Sequence, residues 1–383
     1  MPTCIYSKAK FDFADGEHIL QNFLGARWVS NQIVCNEVQK QFGETIDCDL
    51  EKALRPFRNL LGSKGGRGGD GPPIKNLKSK DGRIYHLLPG GKPILAKPYL
   101  SIKQKSEKHF LVEVELASKK QVDWLLSDIK KQIPEIDSNN LSQLRERILN
   151  TPSKQVYLTA PLVNKAVLGG EAYFKALLKA SFNLLGVMSS EIALSPCFDS
   201  VREYIAHGKG DFKQFIRWSN IENRIAIEQL SNFDHFIGIY SNGNNVDGVF
   251  QVFGSIYHMF RLTNHYSGEV FCYSYAVNPL RNTEPSERRN MKFDVSKMPK
   301  FDEGTPLPDE SVWPVYREMI KTFFINHSHY ARELELERII RETFEKYKEE
   351  TDFVTPEMIG EISVKVAKFA MRYVPRVQDL IGD

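Results

Sequence analysis

Residues 13–43 read FADGEHILQNFLGARWVSNQIVCNEVQKQFG. The acid–imidazole pair Glu17-His18 sits in the short apolar run EHIL, which reads as a strand. A turn, a second short strand and a helix over NQIVCNEVQKQF complete a ββα unit. A carboxylate beside an imidazole can hold a metal ion and activate water in one place. No other stretch of the chain offers a comparable arrangement, so the remaining elements are placed outward from it.

Upstream, CIYSKAKFD (residues 4–12) alternates enough for a short strand. Downstream, CDLEKALRPFRNLLG repeats Leu50, Leu54, Phe57, Leu60 and Leu61 at helical spacing, and Gly62 supplies a stop. Residues 62–73, GSKGGRGGDGPP, hold six glycines and two prolines. Such a segment makes no regular element, and is either a linker or a loop ordered by what it binds. It lacks the Gly-Lys-Ser/Thr and following helix of a phosphate-binding loop.

Residues 74–116 read as strands joined by turns, with Pro89-Gly90-Gly91 marking one turn. A helix starts at Ser118, with Val122, Leu125, Ile129 and Ile133 as its stripe, and Pro134 ends it. LSQLRERILN reads as a further helix and SKQVYLTAPLV (153–163) as a strand. Residues 169–188 form a strongly apolar helix with Phe174, Leu177, Leu178, Phe182 and Leu185 on one face. FDSVREYIAHG is a helix stopped by Gly208. HFIGIYS, the turn NGNN and GVFQVFGSIYHMFRLT predict a hairpin, and GEVFCYSYAVN adds a strand. From Asn278 to about Asp309 the chain reads as a long loop. Two helices follow; Thr355-Pro356-Glu357 starts the second, with Ile359, Ile362, Val366 and Phe369 inward. The expected class is α+β. Its parts are a module at 1–62, a glycine-rich loop with short strands at 63–117, an antiparallel-sheet-plus-helix domain at 118–300, and a helical region at 301–383.

The 383 residues are 42% hydrophobic and 26% charged, with a formal charge of +3. No run is apolar enough for a membrane span, and the N-terminus lacks a secretory h-region, so the cytosol is the default expectation. Five cysteines in no dense framework fit a reduced compartment. Lys64, Arg67, Lys75, Lys78, Lys80 and Arg83 make a local basic stretch, which reads either as a solvated loop or as a phosphate-binding surface. The tripeptide His327-Ser328-His329 would share a face for its imidazoles only on a strand. His207 and His258 read as structural. Tyr257, Phe260, Tyr273 and Tyr275 read as sheet core before a base-stacking platform.

Taken in order, Cys4-x-x-Ser7, Glu17-His18-Ile19-Leu20-Gln21, Leu24-Gly25-Ala26, Asn31, Cys35-x-x-Val38-Gln39, Gly43 and Ile46-Asp47 resemble the HNH endonucleases of the ββα-metal class. That family pattern has two Cys-x-x-Cys pairs around Glu-His-Ile-Ile-Pro. The resemblance extends more weakly over about the first 275 residues. It implies a metal-dependent endonuclease that hydrolyses phosphodiester bonds in DNA, in restriction or phage defence. His18 matches the general base, Asn31 the residue that orients it, and Glu17 and Gln39 the ligands of one divalent cation, Mg²⁺ or Mn²⁺. Arg55, Arg58, Lys64 and Arg67 are candidate phosphate contacts. Nucleic acid is the expected partner; a protein partner or a second copy is left open. At the zinc-knuckle positions Cys4, Ser7, Cys35 and Val38, two cysteines are replaced, so no structural zinc is expected. The alternative is a catalytically decayed module in a non-enzymatic nucleic-acid- or protein-binding protein.

Overall fold

A computed structural model describes residues 1–106, 109–151, 158, 162–220, 227, 229–281, 287–348 and 353–371. The expected strand 153–163 falls largely outside them. The architecture is mixed α+β, with an N-terminal α/β segment, internal antiparallel sheets and a C-terminal helical region. The chain divides into two compact units, Met1–Arg317 and Glu318–Asp383.

In the first unit, β1 (Glu17–His18) pairs antiparallel with β2 (Val29–Ser30), Glu17 opposite Ser30 and His18 opposite Val29. Two helices follow, α1 (Asn36–Glu44) and α2 (Ile46–Leu61). α2 keeps its apolar face because Leu50, Leu54, Phe57 and Leu61 are all buried. It stops at Gly62, whose φ of 63° is the left-handed conformation that glycine adopts without a Cβ penalty.

Residues 4–12 make no strand, contrary to their alternation. The chain turns at residues 5–7, Lys8 takes a φ of 57°, and only the isolated pair Thr3 and Lys10 bridges. Cys4, Ile5 and Tyr6 all enter the core, but the chain turns at once after Cys4 and leaves them no strand to pair with.

Beyond the glycine-rich loop come a three-stranded sheet, β3 (Ile74–Lys78), β4 (Ile84–Leu88) and β5 (Lys92–Leu95), and a hairpin, β6 (Tyr99–Ser106) and β7 (His109–Glu115). That hairpin packs with α3 (Val122–Gln132) and α4 (Ser138–Asn150) around Leu125, Ile129 and Ile133.

The main core is built on α5 (Glu171–Met188), followed by α6 (Ser190–Ala193) and α7 (Asp199–His207). Against α5 lies a six-stranded antiparallel sheet of β8 (Ile216–Arg217), β9 (His235–Ser241), β10 (Val246–Val252), β11 (Ile256–Thr263), β12 (Cys272–Val277) and β13 (Glu287–Arg289). Its order is β13-β12-β9-β10-β11-β8. The stretch GVFQVFGSIYHMFRLT is therefore two strands. It folds back at Phe253 and Gly254, with φ of 51° and 65°, so this tight turn has both central residues left-handed. The expected loop from Asn278 to about Asp309 contains a strand among its described residues, since β13 pairs with β12 there. Tyr257, Phe260 and Tyr275 lie in the sheet core.

The division between the units falls within α8 (Val312–Tyr347). His327 and His329 lie inside this helix, where residues two apart point to different faces. In the second unit, α9 (Pro356–Ala370) is capped by Thr355, whose hydroxyl accepts from the Met358 backbone N–H at 3.3 Å. Phe369 is buried as expected, but Ile359 is 55% exposed and Met358 takes the inward place. No helix among the described residues is long and apolar enough to cross a membrane.

Candidate functional site

The Glu17-His18 strand is gripped from beneath by α5. Glu17 is buried, and its carboxylate accepts from the Lys179 ammonium at 2.6 Å. Lys179 reaches Asp47 of α2 at 2.7 Å as well, so one ammonium bridges two carboxylates. Four residues further along α5, Asn183 donates to the Glu17 carboxylate at 3.3 Å and to the His18 carbonyl at 3.1 Å. Its own side-chain oxygen accepts from the Tyr6 hydroxyl at 2.8 Å. Gln21 joins the network by donating to Asp47 at 3.1 Å and to the Ala176 carbonyl at 3.2 Å.

The electrostatics follow the burial. Burial alone would lower the Lys179 pKa, but Glu17 and Asp47 outweigh it and raise the value, so the ammonium stays charged. Burial raises Glu17, against the lowering pull of Lys179. Tyr6 is pushed well up by burial and by Glu17, and remains a hydroxyl donor.

His18 faces a different environment. Neither ring nitrogen has a hydrogen-bond partner, and both are shielded. Burial lowers its pKa, and the cations of Arg67 and Lys179 lower it further. The imidazole is therefore neutral at pH 7, with a lone pair on one nitrogen.

Arg67 arrives on the glycine-rich loop, which is an ordered structure and no slack linker. The Gly66 N–H donates to the Asn22 carbonyl at 2.8 Å, and Gly65 to Gly69 at 2.8 Å. Arg58 donates to the carbonyls of Ser63 at 3.4 Å and Gly69 at 3.3 Å, bracing the loop from α2. The glycines are required by closeness: a Cβ on Gly66 would lie 2.0 Å from the Ala26 carbonyl oxygen. We expect Gly66→Ala to dislodge the loop and destabilise the unit by about 1–3 kcal/mol, the usual range for overpacking. Urea unfolding checks it; an unchanged midpoint would mean the loop is not seated on Ala26.

The candidate residues from the sequence divide accordingly. Glu17 and His18 are adjacent on β1, and the Gln39 amide reaches the residue before them, donating to the Gly16 carbonyl at 2.6 Å. That bond makes Gln39 a brace for the strand. Asn31 lies exposed in the turn after β2 and makes no hydrogen bond to the His18 ring; the strand is held by Asn183. Arg58 is buried in its loop contacts and is not presented to solvent, whereas Lys64 and Arg67 are exposed. Arg55 is half-exposed and lies 3.8 Å from Glu51.

The four knuckle positions also converge in part. Ser7 Oγ lies 3.9 Å from Cys35 Sγ. Burial would raise the Cys4 thiol pKa, but hydrogen bonds from the Ser7 side chain and from nearby backbone groups, including Cys35, hold it below its usual value. Val38 is buried. Two thiols, a hydroxyl and a valine do not supply the four ligands of a tetrahedral zinc site.

The sequence reading missed Lys179, Asn183 and Tyr6. The signal lay in ALLKASFNLL, where a lysine and an asparagine four apart interrupt a mostly apolar helix. Fully buried polar residues in such a helix need partners, and these find them on β1.

Among the described residues, no three His, Cys, Asp or Glu side chains are grouped so as to hold a metal ion. Comparison with family models, curated proteins and solved structures returns no match to this chain.

Proposed function

We propose that residues 1–62 form an HNH-type endonuclease module that hydrolyses phosphodiester bonds in DNA, with His18 as general base. The carrying observation is the state of His18: a shielded imidazole, both nitrogens unpartnered, on a strand fixed by hydrogen bonds to its backbone. A histidine packed for structure alone normally satisfies at least one nitrogen. A general base must keep one free for the proton of the attacking water. Arg67 and Lys64, exposed on the ordered glycine-rich loop, supply cations for the phosphate.

The resemblance implies one Mg²⁺ or Mn²⁺ beside the base. The residues as placed do not fit it, because the Glu17 carboxylate is bound to Lys179 and the Gln39 amide is bonded to Gly16.

The test is nicking of supercoiled plasmid by the purified full chain and by His18→Ala. The expected result is relaxed circles with the parent and a loss of at least about 100-fold in the variant, the lower end of general-base contributions. Equal nicking by both would remove His18 from the mechanism.

One observation favours a second reading. The Lys179–Glu17 pair is what a module without hydrolysis would be free to acquire. That reading keeps nucleic-acid binding through Lys64 and Arg67, predicts DNA binding unchanged in His18→Ala, and predicts no cleavage by either protein.

A further inference from the structure

We infer that the Lys179 ammonium takes the place of a divalent ion at the Glu17 carboxylate, making Lys179 the positioning residue of the site and leaving that carboxylate closed to metal. This rests on the proposed reading only in naming the site; the ion contacts stand on their own. The ammonium lies 2.6 Å from Glu17 and 2.7 Å from Asp47, two carboxylates from β1 and α2. Its side chain is 2% exposed, and it comes from the middle of a helix whose neighbours are core.

An ion entering at Glu17 would have to displace this ammonium into an apolar interior. Asp47 alone would then have to balance it, and a divalent ion beside the buried ammonium would add like-charge repulsion. The alternative, withdrawal of Lys179 to solvent, is blocked because α5 is buried along its length from Tyr173 to Gly186 apart from Lys175. The remaining polar groups are engaged as well. Asn183 donates to Glu17 and to the His18 carbonyl, and Gln21 donates to Asp47. One fixed cation thus ties β1 to α2 and α5, and the orientation of the next residue, His18, follows from it. The bridge is one of the contacts that join residues 1–62 to α5 within one compact unit.

The experiment is Mn²⁺ binding, read by the loss of the free-ion electron paramagnetic resonance signal. It uses the full chain, Glu17→Gln, Lys179→Met, and the double variant Glu17→Gln/Lys179→Met. The expected result is that Glu17→Gln binds Mn²⁺ just as the parent does, because Glu17 is not a ligand. Lys179→Met should gain one equivalent, and the double variant should lose it again. A parent site that disappears in Glu17→Gln would overturn the inference, and this comparison does not depend on Lys179→Met folding. A Lys179→Met that folds and gains no Mn²⁺ would also count against it. Because the readout is binding, it decides the matter even if plasmid nicking fails and the nuclease reading falls.

Discussion

Lys179→Met should destabilise the first unit by about 3–5 kcal/mol, the range seen when one partner of a buried ion pair is removed. The substitution keeps an unbranched, flexible side chain, one heavy atom shorter, and removes the ammonium. What remains is Glu17, with 5% of its side chain exposed, facing Asp47 with no cation between them. The cost arises from that uncompensated charge more than from the lost attraction. The triple variant Lys179→Met/Glu17→Gln/Asp47→Asn should therefore recover most of the loss, since replacing all members of a buried ionic group by neutral ones is often close to neutral. Chemical denaturation of the single and triple variants checks both halves. A single variant within about 1 kcal/mol of the parent, the range of an exposed pair, would show the bridge to be incidental.

Mild acid should destabilise the sheet by a comparable amount, through two histidines far from the candidate site. His235 and His258 are fully buried, and burial alone pushes each pKa down to about 3. His258 is enclosed by Trp218 at 5.0 Å, Phe174 at 5.3 Å and Tyr173 and Tyr316 at 5.5 Å, and meets the Tyr316 hydroxyl at 3.0 Å. His235 accepts from the Phe253 N–H at 3.3 Å, beside the tight turn between β10 and β11.

The sign follows from which state takes the proton. Above about pH 6.5 both residues are neutral whether folded or not, and they impose no penalty. Below it, the unfolded chain binds two protons that the folded chain refuses, so stability falls as pH falls. The loss stops only near the folded pKa. Each pH unit costs about 1.4 kcal/mol per histidine, hence about 4 kcal/mol for the pair at pH 5. Most carboxylates scarcely titrate between pH 6.5 and 5, but His18, lowered by burial, adds to the slope there and Glu17, raised by burial, opposes it, so the share of the sheet histidines is read as the difference between the parent and a variant. His258→Phe should take about 1.4 kcal/mol per pH unit off the slope there. Urea midpoints that stay flat across the window would contradict the account.

Local features of this fold were legible where one short-range rule decides them. The face and end of α2 follow from leucine spacing and Gly62, and the cap of α9 follows from Thr355-Pro356. β9 and β12 follow from dense β-branched and aromatic residues. Where tertiary contacts decide, the rules fail. CIYSKAKFD alternates like a strand, yet the core draws in Cys4, Ile5 and Tyr6 together. The Phe253-Gly254 turn hides inside one long apolar run because Phe is a poor turn signal. The site shows the same division. The Glu17-His18 pair could be found from its own stretch. Its partners Lys179 and Asn183 stand some 160 residues away, and only the packing of α5 under β1 reveals which carboxylate a buried lysine serves. Asn31, assigned to orient the imidazole from the resemblance, makes no bond to the His18 ring.

The proposed site joins an unpartnered imidazole at His18 to a resident cation at Lys179. Its most direct test is plasmid nicking by the full chain in Mg²⁺ and in excess EDTA, each beside His18→Ala. It predicts relaxed circles at the same rate in both buffers and none with the variant. Nicking abolished by EDTA and restored by Mg²⁺, or undiminished in His18→Ala, would contradict it.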